Sequence, residues 1–166
     1  MPYFDGYDAD GEDAAGINRF WRPTDFYLAR HYCRKGCNDE LEQLLSRDRL
    51  VITPNELVIC LLHAIDRCQL ACVSVLLTHG VKINSVARFG DREISPAYYA
   101  VERACCVLLD PVQQAQRTAI VQHMIRCAGL DETNVFDAYY PASGVDHSNI
   151  TELLCQLKQQ VVGVSI

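Results

Sequence analysis

The stretch TPNELVICLLHAIDRCQLACVSVLLTHGVKIN, residues 53–84, decides how this chain folds. Thr53 and Glu56 stand at the spacing of a capping box, in which each side chain accepts the other residue's backbone N–H at a helix start. Pro54 occupies the first helical position, where a missing N–H does no harm and a fixed φ suits the helix. Leu57, Leu61, Ala64 and Cys68 follow at helical intervals. A second helix then runs from Leu70 to Thr78, with Val73, Leu76 and Leu77 inward and Gly80 where a left-handed C-terminal cap is wanted. This is a helix-turn-helix hairpin with more apolar surface than it can bury alone, so it needs similar neighbours.

Those neighbours are written on both sides. Upstream, Thr24 can cap a helix to about Lys35, which Gly36 ends, and Asn38 can cap a shorter helix to about Ser46. Downstream, an extended polar stretch from Asn84 to Glu93 leads to Ser95 and Pro96, a second cap with proline behind it. Ala97, Ala100, Val101, Ala104 and Leu108 form the apolar stripe of that helix. Asp110, Pro111 and Gln113 open a long helix to about Cys127, before Ala128 and Gly129 end it. Residues 134–145 read as loop, and Ser148 to about Gln160 as a terminal helix with Ile150, Leu153, Leu154 and Leu157 inward. Almost no alternating strand pattern occurs, so the expected class is all-α: stacked helix-turn-helix hairpins with a C-terminal helix. Residues 1–20 are expected to be an acidic flexible leader, 21–133 the helical stack, and 134–166 a loop, a packing helix and the tail VVGVSI.

A chain of 166 residues, 49% apolar and 22% charged, has enough hydrophobic material for one domain with a real core. Its 15 Lys and Arg against 21 Asp and Glu give a net charge of −6, which repels a phosphate backbone, so no nucleic-acid partner is expected. No apolar run approaches the roughly 18 residues that would cross a bilayer, so no membrane association is expected either. The first sixteen residues carry five acids and no base, unlike a secretory signal, which suggests a cytoplasmic protein of the producing or of a host cell. Nine cysteines, an odd number set mostly in helical apolar patterns, read as reduced buried thiols.

The hairpins share a register. Leu44-Leu45 and Leu76-Leu77 fall at equivalent places 32 residues apart. Residues 61–84 resemble an ankyrin repeat from its first helix to a closing Asn84, with Ala64 and Ile65 on the paired small positions. SPAYYAVERA, residues 95–104, is similar to that family's Thr-Pro-Leu-His opening, and residues 28–45 are a weaker version. The resemblance covers about residues 24–130, with roughly a dozen extra residues across 105–116. It implies an ankyrin-like solenoid whose first helices and connecting fingers line a concave face used for binding proteins.

The residues that the apolar stripes do not use are the candidate partner-binding set. On the third hairpin these are Tyr98, Tyr99, Glu102 and Arg103; on the preceding one, His63, Asp66 and Arg67. Between them, residues 87–92 should form a finger carrying Arg88, Phe89 and Arg92, with an exposed aromatic beside two arginines. Tyr and Arg often dominate interface energetics because they combine contact area with oriented hydrogen bonding. The bland alternative for Phe89 is that it tucks back into the stack.

Residues for other chemistries are also present. His31 with Cys33 and Cys37, His63 with Cys68 and Cys72, and His123 with Cys127 lie close in sequence, but no paired C-x2-C elements accompany them. A Cys–His pair completed by Asp66 or Asp146 would need assembly in space. No phosphate loop, G-x-S-x-G or H-E-x-x-H occurs. The reading is therefore a non-catalytic module without cofactor or metal that binds another protein, as an adaptor or competitor, with a viral or bacterial host-directed role as its imagined setting. The alternatives are a metal- or cysteine-dependent enzyme on an atypical helical fold, and a self-associating protein that forms a homodimer through its tail or the Tyr98 and Tyr99 face.

Overall fold

A computed structural model describes residues 24–106, 109–136 and 147–163. The leader at 1–20, Leu108, Asp146 and the last three residues of the tail lie outside them. The described part is predominantly helical: α1 (Asp25–Lys35), α2 (Asn38–Leu45), α3 (Pro54–Asp66), α4 (Leu70–Thr78), α5 (Pro96–Ala104), α6 (Pro111–Ala128), α7 (Glu132–Phe136) and α8 (His147–Gly163). A pair of short strands, β1 (Ala87–Phe89) and β2 (Arg92–Ile94), separates α4 from α5.

The helix starts follow local chemistry. Thr53 Oγ1 accepts the Glu56 N–H at 3.2 Å while Glu56 Oε2 accepts the Thr53 N–H at 2.9 Å, closing the box on α3. Thr24, Ser95 and Asp110 accept the N–H groups of Tyr27, Tyr98 and Gln113 at 3.1, 3.2 and 2.9 Å, satisfying donors that a helix start leaves unpaired. Asn38 departs from expectation. It is the first residue of α2, the cap position falls to Cys37 without a side-chain bond, and the Asn38 amide donates to Asp39 instead. The left-handed turn at Gly36 leads so directly into α2 that the start shifts by one residue.

The turns inside the first two hairpins repeat each other. Gly36 at φ 78° and Cys68 at φ 57° stand 32 residues apart, and each is followed by an N–H that reaches back across the turn. Cys37 donates to Tyr32 O at 3.0 Å, and Gln69 to Ala64 O at 2.9 Å. The same geometry ends α4, where Val81 donates to Leu76 O at 3.2 Å past Gly80.

Helices α1 and α2, α3 and α4, and α5 and α6 pack in pairs. The first members stack in the order α1, α3, α5 and the second members in the order α2, α4, α6, with α7 and α8 closing the α5–α6 end. One core runs from Leu41 and Leu44 through Leu61, Ile65 and Leu76 to Ile120, Met124, Ile150 and Leu154. Cys33, Cys60 and Cys72 are buried in it, and Cys68 and Cys105 are half-buried, whereas Cys127 is exposed on the outer side of α6 and is not a core thiol.

Three further expectations change. The polar stretch at 84–93 contains an antiparallel hairpin that pairs Ala87 with Ile94, Arg88 with Glu93 and Phe89 with Arg92. Gly90, at φ 64°, supplies the positive φ that a two-residue turn requires. The start of the supposed loop is α7, opened by reciprocal bonds between Asp131 and Asn134 at 3.0 and 2.9 Å and held by buried Val135. Helix α8 continues through Val161, Val162 and Gly163, so the tail is shorter than its sequence suggests.

Candidate protein-binding face

Helix α5 lies beside α3, and the β1–β2 hairpin packs on α3 and reaches α5 through Phe89 and Arg92. The alternation of the strands sends Phe89 and Arg92 toward the helices, while Arg88 and Glu93 face away and are exposed. The Phe89 ring sits between two others, edge-on to His63 with centroids 4.9 Å apart and to Tyr99 at 5.4 Å. Beside it the Arg92 guanidinium grips the Glu102 carboxylate through two bonds of 3.1 and 2.9 Å.

Behind Phe89 a polar network ties α3, α5 and α6 together. The Tyr99 hydroxyl donates to Asp66 Oδ1 at 2.6 Å, and Arg67 Nε lies 3.8 Å from the same carboxylate. Arg117 of α6 is buried and donates to the carbonyls of Ile65 and Asp66 at 2.7 and 2.8 Å. Those carbonyls lie at the C-terminal end of α3, where the regular helical donors run out, the Cys68 N–H reaches Ile65 O at 3.1 Å, and the helix dipole favours a cation.

The electrostatics follow from burial and neighbours. Burial, then the charges of Arg30 and Arg34, push the His63 ring down to about 4, with Arg67 acting the same way and Asp66 opposing. His63 is therefore neutral at pH 7. Burial and the bond to Asp66 raise the Tyr99 hydroxyl above its ordinary range, and the bond to Glu102 raises Arg92.

The structure brings the expected residues into one neighbourhood but assigns some of them a different role. Tyr98, Tyr99 and Glu102 are not spare surface groups: they are only 2, 7 and 9% exposed. The hairpin reaches α5, and Arg92 compensates the charge that Glu102 takes inward. Phe89 does not project, because it is packed between His63 and Tyr99. His63, Asp66, Arg92 and Arg103 are partly exposed, and Arg67 and Arg88 are exposed. Sequence reasoning missed Arg117, although its signal was there: it occupies the inward stripe of α6 with Ile120, Val121 and Met124.

The other clusters separate. His31 stacks on Tyr27 while Cys33 points into the core, and Asp66 is engaged by Tyr99. His123 Nδ1 and Cys127 Sγ lie 3.8 Å apart, but among the described residues no three His, Cys, Asp or Glu side chains are arranged to hold a metal ion. Among those residues no helix is long and apolar enough to cross a membrane. No protein-family model, no curated protein and no solved structure matches this chain.

Proposed function

We propose that this chain is an ankyrin-like interaction module, acting as an adaptor or competitor that binds a partner protein through the face formed by α3, α5 and the β1–β2 hairpin. The observation that carries the reading is the locked hairpin. Phe89 between His63 and Tyr99, with Arg92 clamped to Glu102, fixes the finger's position while Arg67 and Arg88 remain exposed beside it. A pre-ordered surface loses little conformational entropy on binding, and arginine is among the side chains that contribute most at interfaces. The repeated left-handed turn at Gly36 and Cys68 and the parallel order of first and second helices support the ankyrin-like part of the reading.

The test is affinity capture and cross-linking with the full chain against an Arg67→Glu, Arg88→Glu variant. Both positions are exposed, so circular dichroism should report an unchanged fold. A partner retained by wild type and lost by the folded variant is the expected result. A partner retained equally by both would mean that this face is not the binding surface.

A further inference from the structure

The face around His63 carries an excess of positive charge on a chain whose net charge is −6. Arg30 on α1, Arg67 at the end of α3 and Arg103 on α5 belong to the three first helices, which lie side by side. Arg34 stands one turn beyond Arg30, and both lower the affinity of the His63 ring for a proton, as does Arg67; their charges therefore converge on that ring. Arg30 is held in place, its guanidinium carbon 5.5 Å above the Phe26 ring and 5.9 Å above Tyr27. Arg103 is partly exposed, and its buried Nε makes no hydrogen bond.

The two acids on α3 and α5 of the same face are already engaged, while Asp91 and Glu93 are exposed on the hairpin. Glu102 is clamped by Arg92, and Asp66 accepts the Tyr99 hydroxyl and stands beside Arg67. At the hairpin's outer side Arg88 stands opposite Glu93 in the strand register, and both are exposed. The excess acid lies elsewhere: α2, NDELEQLL, has three carboxylates and no base, and Asp25 and Glu56 sit at the opposite ends of α1 and α3 from Arg34 and Arg67.

We propose that the face between α1, α3 and α5 binds an acidic segment of the partner protein, with carboxylates on Arg30, Arg67 and Arg103. This rests on the interaction-module reading and names the partner's chemistry. Guanidinium groups match carboxylates through paired parallel hydrogen bonds, and a basic patch on an acidic chain steers one face toward an acidic ligand. A nucleic acid is disfavoured because its continuous phosphate charge would also meet the acidic remainder of the chain.

The experiment is selection of a random peptide display library on the full chain, followed by anisotropy titration of the selected peptides. The titrations compare wild type, Arg67→Glu, Arg30→Gln and Arg67→Glu/Arg88→Glu at low and high salt. Expected are peptides rich in Asp and Glu, about tenfold weaker on Arg67→Glu and at high salt, a loss of about 1.4 kcal/mol, and weaker again when their acids become amides. Peptides without acids that still fail on the Arg67→Glu/Arg88→Glu variant would overturn the acidic partner while leaving the module and its face standing. Peptides indifferent to every substitution, or no selected peptide at all, would count against both. A single-stranded DNA oligonucleotide that binds this face more tightly than any acidic peptide would overturn the choice of a protein ligand.

Discussion

A histidine with three arginines around it and a phenylalanine ring against it gives up its proton far below neutrality. His63 titrates near 4 in the folded chain against an ordinary value of 6.5, so between those values the unfolded chain binds more protons. Stability from this group is complete above pH 6.5 and is lost as pH falls toward 4. With allowance for its partial exposure, the loss should be on the order of 2 kcal/mol or less. Urea melts at pH 7 and pH 4.5 measure it, and His63→Gln should flatten the difference. Arg117 gives a second test at this scale. Arg117→Met removes the side-chain donor from the Asp66 carbonyl and leaves Ile65 O with the backbone N–H of Cys68, which should cost about 1–3 kcal/mol, with Arg117→Lys restoring only part because one ammonium cannot reproduce the fork. Denaturant midpoints that do not move would mean that water replaces the guanidinium.

The two interhelix turns make the same demand on equivalent residues, and glycine meets it in only one of them. Gly36 has a positive φ, and a Cβ there would run into the Gln69 side-chain amide, so Gly36→Ala should destabilise by about 1–2 kcal/mol. Cys68 holds the same left-handed conformation with a side chain, so Cys68→Gly should stabilise by about 0.5–1 kcal/mol less whatever packing its half-buried thiol contributes. Paired thermal melts read both signs, and a loss at Cys68→Gly would show that packing of the thiol outweighs the turn. The Gly36 end was legible in sequence, because glycine advertises the left-handed cap. The Cys68 end was placed only by the helical periodicity on either side of it.

At the scale of the whole molecule, the inner hairpin of α3 and α4 is packed between the other two, so no hairpin is independent. Leu61 is fully buried on α3, the first helix that lies between α1 and α5. Leu61→Ala should therefore cost about 2–5 kcal/mol and shift one common transition. Circular dichroism and amide exchange read separately in α2 and α6 check this. Midpoints that differ between those helices would show that the stack unfolds piecewise, as arrays with weak interfaces do.

The sequence by itself determined where the capped helices begin and where glycine ends them, because a cap is a bond across three or four residues and needs no tertiary partner. Thr24, Thr53, Ser95, Asp110, Gly36 and Gly129 act as their local chemistry requires. It also placed the candidate residues on neighbouring elements, since that follows from the helix order. Only the tertiary structure decided which members of the face are interior. Tyr99 meets Asp66 across 33 residues, Arg117 reaches Ile65 across 52, and Glu102 is buried because a strand ten residues upstream reaches back to α5. Each of these burials depends on a charge or a hydroxyl finding a distant partner, and helical periodicity carries no record of such a meeting.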